Sequence, residues 1–135
     1  MPGYLSALAA AGRDPSAAKV QVPGLFMAVA RDPEAALEEL APYYHYVNSV
    51  YGDWGREDNA LGMDSDLSSA LDLDAFKASG ILQVWTPEEA VAKFHAMREA
   101  MPLTHYVMMA PPGLPVERFI AHAEVFAHDV MPAFA

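Results

Sequence analysis

Cysteine is absent from the 135 residues. Disulfides, thiolate nucleophiles, iron–sulfur clusters and cysteine-ligated zinc are thereby excluded in one step. No apolar run approaches the roughly 20 residues of a membrane-spanning helix, and Met1-Pro2-Gly3-Tyr4 lacks the basic and apolar regions that open a secretory signal. The expectation is a cytoplasmic protein with no membrane role. Basic residues are also scarce: 8 Lys+Arg stand against 18 Asp+Glu, a formal net charge of −10. That balance repels phosphate backbones and anionic lipid, which argues against nucleic acid as a partner. No phosphate-cradling glycine loop, dinucleotide GxGxxG or Ser-His-Asp signature is present, so kinase, Rossmann and hydrolase readings lack support.

What is present is globular and rich in helix formers. Hydrophobic residues make up 53% of the chain, and 25 of the residues are alanine, so the apolar content favours helices over membrane affinity. At this length about two thirds of the unfolded surface can be buried, enough for one domain over 1–135. The charge is concentrated. Eleven acidic residues and a single base, Arg56, lie between Asp32 and Phe76, which places the whole net charge there and leaves the remainder neutral.

A strand followed by a helix is predicted three times. Val22 to Ala30 is a continuous apolar run of the kind a strand buried on both faces requires. Asp32-Pro33-Glu34 follows, with Asp32 suited to the N-cap, Pro33 to the first helical position and Glu34 to the positive end of the dipole. The helical spacing then reaches Tyr51, with Pro42 as a kink. The second unit is Ile81-Leu82-Gln83-Val84-Trp85 leading into Thr86-Pro87-Glu88-Glu89, a capping-box pattern. The third is Thr104 to Ala110, a turn at Pro111-Pro112-Gly113, and a helix opened by Pro115 with the apolar stripe Phe119, Ile120, Ala123, Phe126, Ala127 and Val130, ended by Pro132. A short helix over Tyr4 to Ala11, stopped by Gly12, precedes them. Residues 52–79 form a polar, acidic insertion with a short helix over Asp72 to Ala78 and a solvated loop before it. Asp64-x-Asp66 in that loop lacks the glycine and glutamate of a calcium-binding hand.

Alternating strands and helices imply an α/β fold with about three parallel strands. Three such strands leave two hydrogen-bonding edges open and an apolar face uncovered.

The junctions also carry a family likeness. Ala10-Ala11-Gly12-Arg13-Asp14-Pro15, then Val29-Ala30-Arg31-Asp32-Pro33-Glu34-Ala35-Ala36, the Ile81 to Val91 junction, and Pro112-Gly113-Leu114-Pro115 leading to Glu124 to Phe134 together resemble the C-terminal portion of the bacterial luciferase-like flavin-dependent monooxygenases. The likeness spans nearly the whole chain outside the insertion. It implies a partial TIM-barrel-like unit, the last three βα units of a barrel, and an oxidoreductase that uses FMN or F420. It also implies a truncated or split enzyme, completed by a second copy in a homodimer or by a chain carrying the N-terminal half-barrel. The alternative is a non-catalytic, self-associating α/β module with at most a vestigial pocket.

In βα folds function gathers at the carboxyl ends of strands, which singles out Arg31, Trp85 and Thr86 as cofactor-binding candidates. Arg31 either holds an anion or pairs with a neighbouring carboxylate. Trp85 either stacks on a flavin ring or covers a packing surface. Thr86 either helps to receive a phosphate at a helix N-terminus or simply caps it, and Glu88 and Glu89 favour capping. None of the five histidines is expected to bind metal: His122 and His128 lie on different helix faces, and His45 sits within the Tyr43-Tyr44-His45-Tyr46 packing cluster. No catalytic residue is assigned.

Overall fold

The computed structural model of the protein describes residues 2–62 and 71–135. Asp64 and Asp66 fall outside them. The chain begins with α1 (Pro2–Ala10), ended near Gly12, whose φ of 70° is one that glycine adopts freely. Strands β1 (Val20–Gly24) and β2 (Met27–Val29) follow, and after them come α2 (Pro33–Ala60), α3 (Leu73–Ala78), β3 (Gln83–Trp85), α4 (Pro87–Ala100), β4 (Leu103–Met108) and α5 (Val116–Val125). A π-helical turn, Phe126–Val130, and a 3₁₀ turn, Met131–Phe134, complete the chain.

The molecule is α/β, and its strand pairs are parallel: β1 with β4, and β2 with β3. The single strand expected over Val22–Ala30 is instead two, separated at Leu25 and Phe26. Pro23 has no N–H to donate, and Gly24 lies against Tyr106, so the ladder breaks where donors and space run out. The two halves take different partners. β3 and β4, which would be neighbours in a sequential barrel, do not pair with each other.

Two core clusters flank β2. Ala28 and Ala30 face Ala36, Leu40, Ala41, Tyr44, Phe76 and Leu82. Met27 and Val29 face Trp85, Ala90, Phe94 and Val130. Alternation along a strand sends successive side chains to opposite sides, so three residues serve both clusters. Tyr44 fastens α2 to this arrangement. Its hydroxyl shares one proton between the Met27 carbonyl at 3.3 Å and the Met109 carbonyl at 3.1 Å, joining the start of β2 to the end of β4. Burial pushes the phenol up to about 12.

Local chemistry sets the helix starts. The Asp32 carboxylate accepts from the Ala35 N–H at 3.1 Å with Pro33 in the first turn, and Asp72 caps α3 through the Ala75 N–H at 2.8 Å. α2 extends beyond the expected end at Tyr51, continuing past Pro42 to Ala60 and taking in the first part of the insertion. The α3 segment matches the short helix expected after Asp72. β4, the strand expected over Thr104 to Ala110, has no buried residue among its six. Among the described residues its one ladder partner is β1.

A Cβ added at Gly24 would lie 2.7 Å from the Tyr106 hydroxyl, and the Tyr106 ring is held against Phe94 at 4.5 Å between centroids. Gly24→Ala is therefore expected to lower unfolding free energy by about 1–3 kcal/mol, and Tyr44→Phe by about 1 kcal/mol. Denaturant titration reads both, and an unchanged Gly24→Ala midpoint would show that the Tyr106 contact is slack. Because the folded state favours the neutral Tyr44 phenol, its contribution is complete below the ordinary value of 10.0 and is lost as pH rises from there to about 12. The Tyr44→Phe variant is expected to lose part of the alkaline sensitivity of the melting temperature over that window.

Candidate functional site

The carboxyl ends of β2 and β3 open onto two shallow depressions that share Arg31. The first, about 630 Å³, is lined by Arg31, Thr86, Pro87, Glu88, Val91 and Asp129. The second, about 480 Å³, has a floor of small apolar residues, Ala30, Ala35, Ala36, Ala121 and Val125, and a rim of Arg31, Asp32, Glu39, Arg118 and His122. Both volumes fall in the range of small-molecule sites, although both are open to solvent.

Arg31 and Thr86 border the first depression together, and Arg31 finds its partner in the last part of the chain. The Arg31 guanidinium donates from Nε to Asp129 Oδ2 at 2.7 Å and from Nη2 to Oδ1 at 3.0 Å, a bidentate pair with the π-helical turn. The hydrogen bond and the opposite charge hold the Asp129 carboxyl below its ordinary range and raise the guanidinium. Thr86 caps α4: its Oγ1 accepts from the Glu89 N–H at 3.2 Å while Glu89 Oε2 accepts from the Thr86 N–H at 3.0 Å. That capping box occupies the groups a phosphate would use and adds Glu88 and Glu89 beside them.

Trp85 lies in the core rather than on the wall. It is 9% exposed, edge-on to Phe94 with centroids 6.1 Å apart, and Lys93 Nζ sits 4.9 Å from its ring centre. A strand residue pointing away from Thr86 goes into the β2 layer, where Met27 and Val29 wait.

A third cluster had no signal in the sequence. Glu39, on the second turn of α2, receives both Nε and Nη2 of Arg118, the latter at 2.7 Å, and lies 3.4 Å from His122 Nε2. His122 Nε2 is buried and makes no aligned hydrogen bond, so the contact is one of proximity and charge. The Arg118 hydrogen bond, the largest influence, holds the Glu39 carboxyl below its ordinary range; desolvation, the next in size, opposes it, and the Arg118 charge and His122 add to the lowering. The partners are far apart in sequence, and each reads alone as an ordinary helical surface residue.

Three of the four remaining histidines contact other groups outside the depressions. His45 donates from Nε2 to the Leu71 carbonyl at 2.6 Å and sits edge-on to Phe76, His95 stacks on Phe134 at 4.8 Å, and His105 Nδ1 lies 3.0 Å from Thr104 Oγ1. Among the described residues no three His, Asp or Glu side chains gather in a metal-holding group, and no helix is long and apolar enough to cross a membrane. No protein-family model, curated protein or solved structure matches the chain.

The carboxylates at Glu39 and Asp129 both titrate below their ordinary values, so the ion pairs they form are intact above about pH 4 and fail as pH falls through the lowered values. Hydrogen-exchange protection across α5, corrected for the intrinsic exchange rate, is expected to fall as pH drops below about 4, and Glu39→Gln is expected to bring that loss of protection up to neutral pH. Identical acid profiles for the two proteins would mean that α5 is held by something other than these pairs.

Proposed function

We propose that this chain is the C-terminal portion of a luciferase-like flavin-dependent oxidoreductase, a truncated or split-barrel component that contributes one wall of an active site. The observation that carries this reading is that two of the junctions in the family resemblance, at Arg31 and at Thr86-Pro87, meet around one depression at the carboxyl ends of parallel strands. That is where βα enzymes of this architecture do chemistry. The open edges of β3 and β4 are where further barrel strands would add. A chain carrying the front half-barrel supplies them, and the finer description of the fold as a partial TIM barrel belongs to this proposal.

The chain's own residues do not fit FMN or F420 as a complete site. The Thr86 end of α4 is capped and flanked by two glutamates, Arg31 is spent on Asp129, and the Trp85 ring has no open face for stacking. A bound phosphate here would meet two carboxylates before it met a free cation. Flavin retention is therefore assigned to the complementing half, with Arg31 and Thr86 bordering the pocket. The second reading, a non-catalytic module, is favoured by the same saturation of Arg31.

The isolated chain is expected to leave FMN fluorescence unquenched to millimolar concentration. Co-expression with the front half-barrel of a luciferase-like oxidoreductase is expected to give a soluble complex that retains yellow flavin through gel filtration. A complex that never forms, or that forms without colour while the intact donor enzyme keeps its flavin, leaves the non-catalytic reading.

A further inference from the structure

The second half of α2 turns its large residues to water. The residues it buries there are Asn48, Gly52 and Gly55, four and three apart along one side of the helix. Two of them have no side chain and the third is polar. Tyr46, Val50 and Trp54 recur at helical spacing on the other side, and Leu61 follows at the C-cap. Tyr46 is 61% exposed, Trp54 52% and Leu61 77%, while Val50 is half-buried. Tyr51 stands edge-on to Trp54 with centroids 5.4 Å apart, which restrains the exposed indole. Carboxylates run through the same face. Asp53 and Glu57 are both exposed; Asp53 pairs with Arg56, and Glu57 makes no ion pair among the described residues. None of these residues lines either depression, so the face stands apart from the flavin reading.

We propose that this aromatic face of α2 docks a basic segment of another protein, one in which arginines alternate with apolar residues. Charge complementarity selects the occupant. Eleven acids and one base lie between Asp32 and Phe76, so the field over the face is negative. That field repels nucleic acid, and it repels a second copy of the chain, which would bring the same acids to the contact. A cationic partner is drawn in. The side chains then favour arginine within that class. A guanidinium stacks on indole and phenol rings and forks onto a carboxylate, and Glu57 lies one helical turn beyond Trp54, where both contacts are in reach of one side chain. The Arg56–Asp53 pair is exposed on both sides, so it opposes an incoming guanidinium only weakly. From Tyr46 to Leu61 the face is about 22 Å long, the reach of about seven residues of extended chain.

A fluorescein-labelled peptide alternating Arg with Leu, titrated with the full chain and followed by anisotropy, is expected to bind saturably and to weaken as salt is raised. Trp54→Ala is expected to raise the dissociation constant about tenfold and Glu57→Gln about threefold, while Trp54→Phe keeps most of the affinity. Glu99→Gln removes an equal charge from an exposed position on α4 and is expected to change the constant less than about twofold. Should Trp54→Ala fail to fold, the contrast between Glu57→Gln and Glu99→Gln decides the matter. Absence of saturable binding to millimolar concentration, equal losses from the two glutamate substitutions, or equal binding of a peptide with Glu in place of Arg overturns the proposal. A concentration-dependent shift of tryptophan emission without peptide, abolished by Trp54→Phe, overturns it too and assigns the face to a second copy.

Discussion

Three residues, Met27 to Val29, hold the interior together because they must satisfy both sides of a strand at once. Ala28 serves the cluster under α2 and α3, while Met27 and Val29 serve the cluster under α4 and the C-terminal turn. A substitution on either side is felt by the whole interior, since close-packed cores transmit changes of even one methylene. The small residues on the α2 side, Ala28, Ala30, Ala36 and Ala41, let the helix approach the strand closely. That closeness brings the Tyr44 hydroxyl within reach of two carbonyls that belong to different strand pairs.

A different kind of force governs the last helix. The core is assembled by burial, but α5 is positioned by guanidinium–carboxylate forks from Arg118 and Asp129 to partners at the start of α2 and just before it. Exposed ion pairs are individually weak and are screened by salt. Bidentate geometry nonetheless gives direction, so these pairs fix which side of the helix faces in even where they add little stability. The sharing of Arg31 between the two depressions follows from the same arrangement: one arginine after β2 lies between the N-terminus of α4 and the C-terminal turn.

Where structure is decided within a few residues, the sequence was readable. Asp32, Asp72 and Thr86 each announced a helix start, and each does accept the backbone N–H three residues on. The parallel α/β class followed from the order of elements. The break at Leu25 was missed because an apolar run carries no sign of the close approach of Tyr106 to Gly24, which depends on the distant β4. The exposure of β4 was missed for a similar reason: Tyr106 to Met109 reads as buried whether or not anything covers it. Trp85 and Thr86, adjacent in the chain, were grouped as site candidates, yet strand alternation sends them to different surroundings. The Glu39, Arg118 and His122 cluster depends on how α5 is rolled about its axis, and the amphipathic pattern pointed to the opposite roll.

The π-helical turn at Phe126 to Val130 constrains how this protein can change in length. A π-turn accommodates one residue more than an α-turn, and that surplus brings Asp129 round to Arg31 while Val130 enters the core. Loss of the surplus residue would return the turn to α geometry with its flanks in place, whereas loss of one residue from α5 ahead of it would rotate all that follows by about 100°. The aspartate and the valine would then leave their partners through a change that substitutes neither. In the helix leading to this turn it is therefore the number of residues, more than their identity, that selection is in a position to guard.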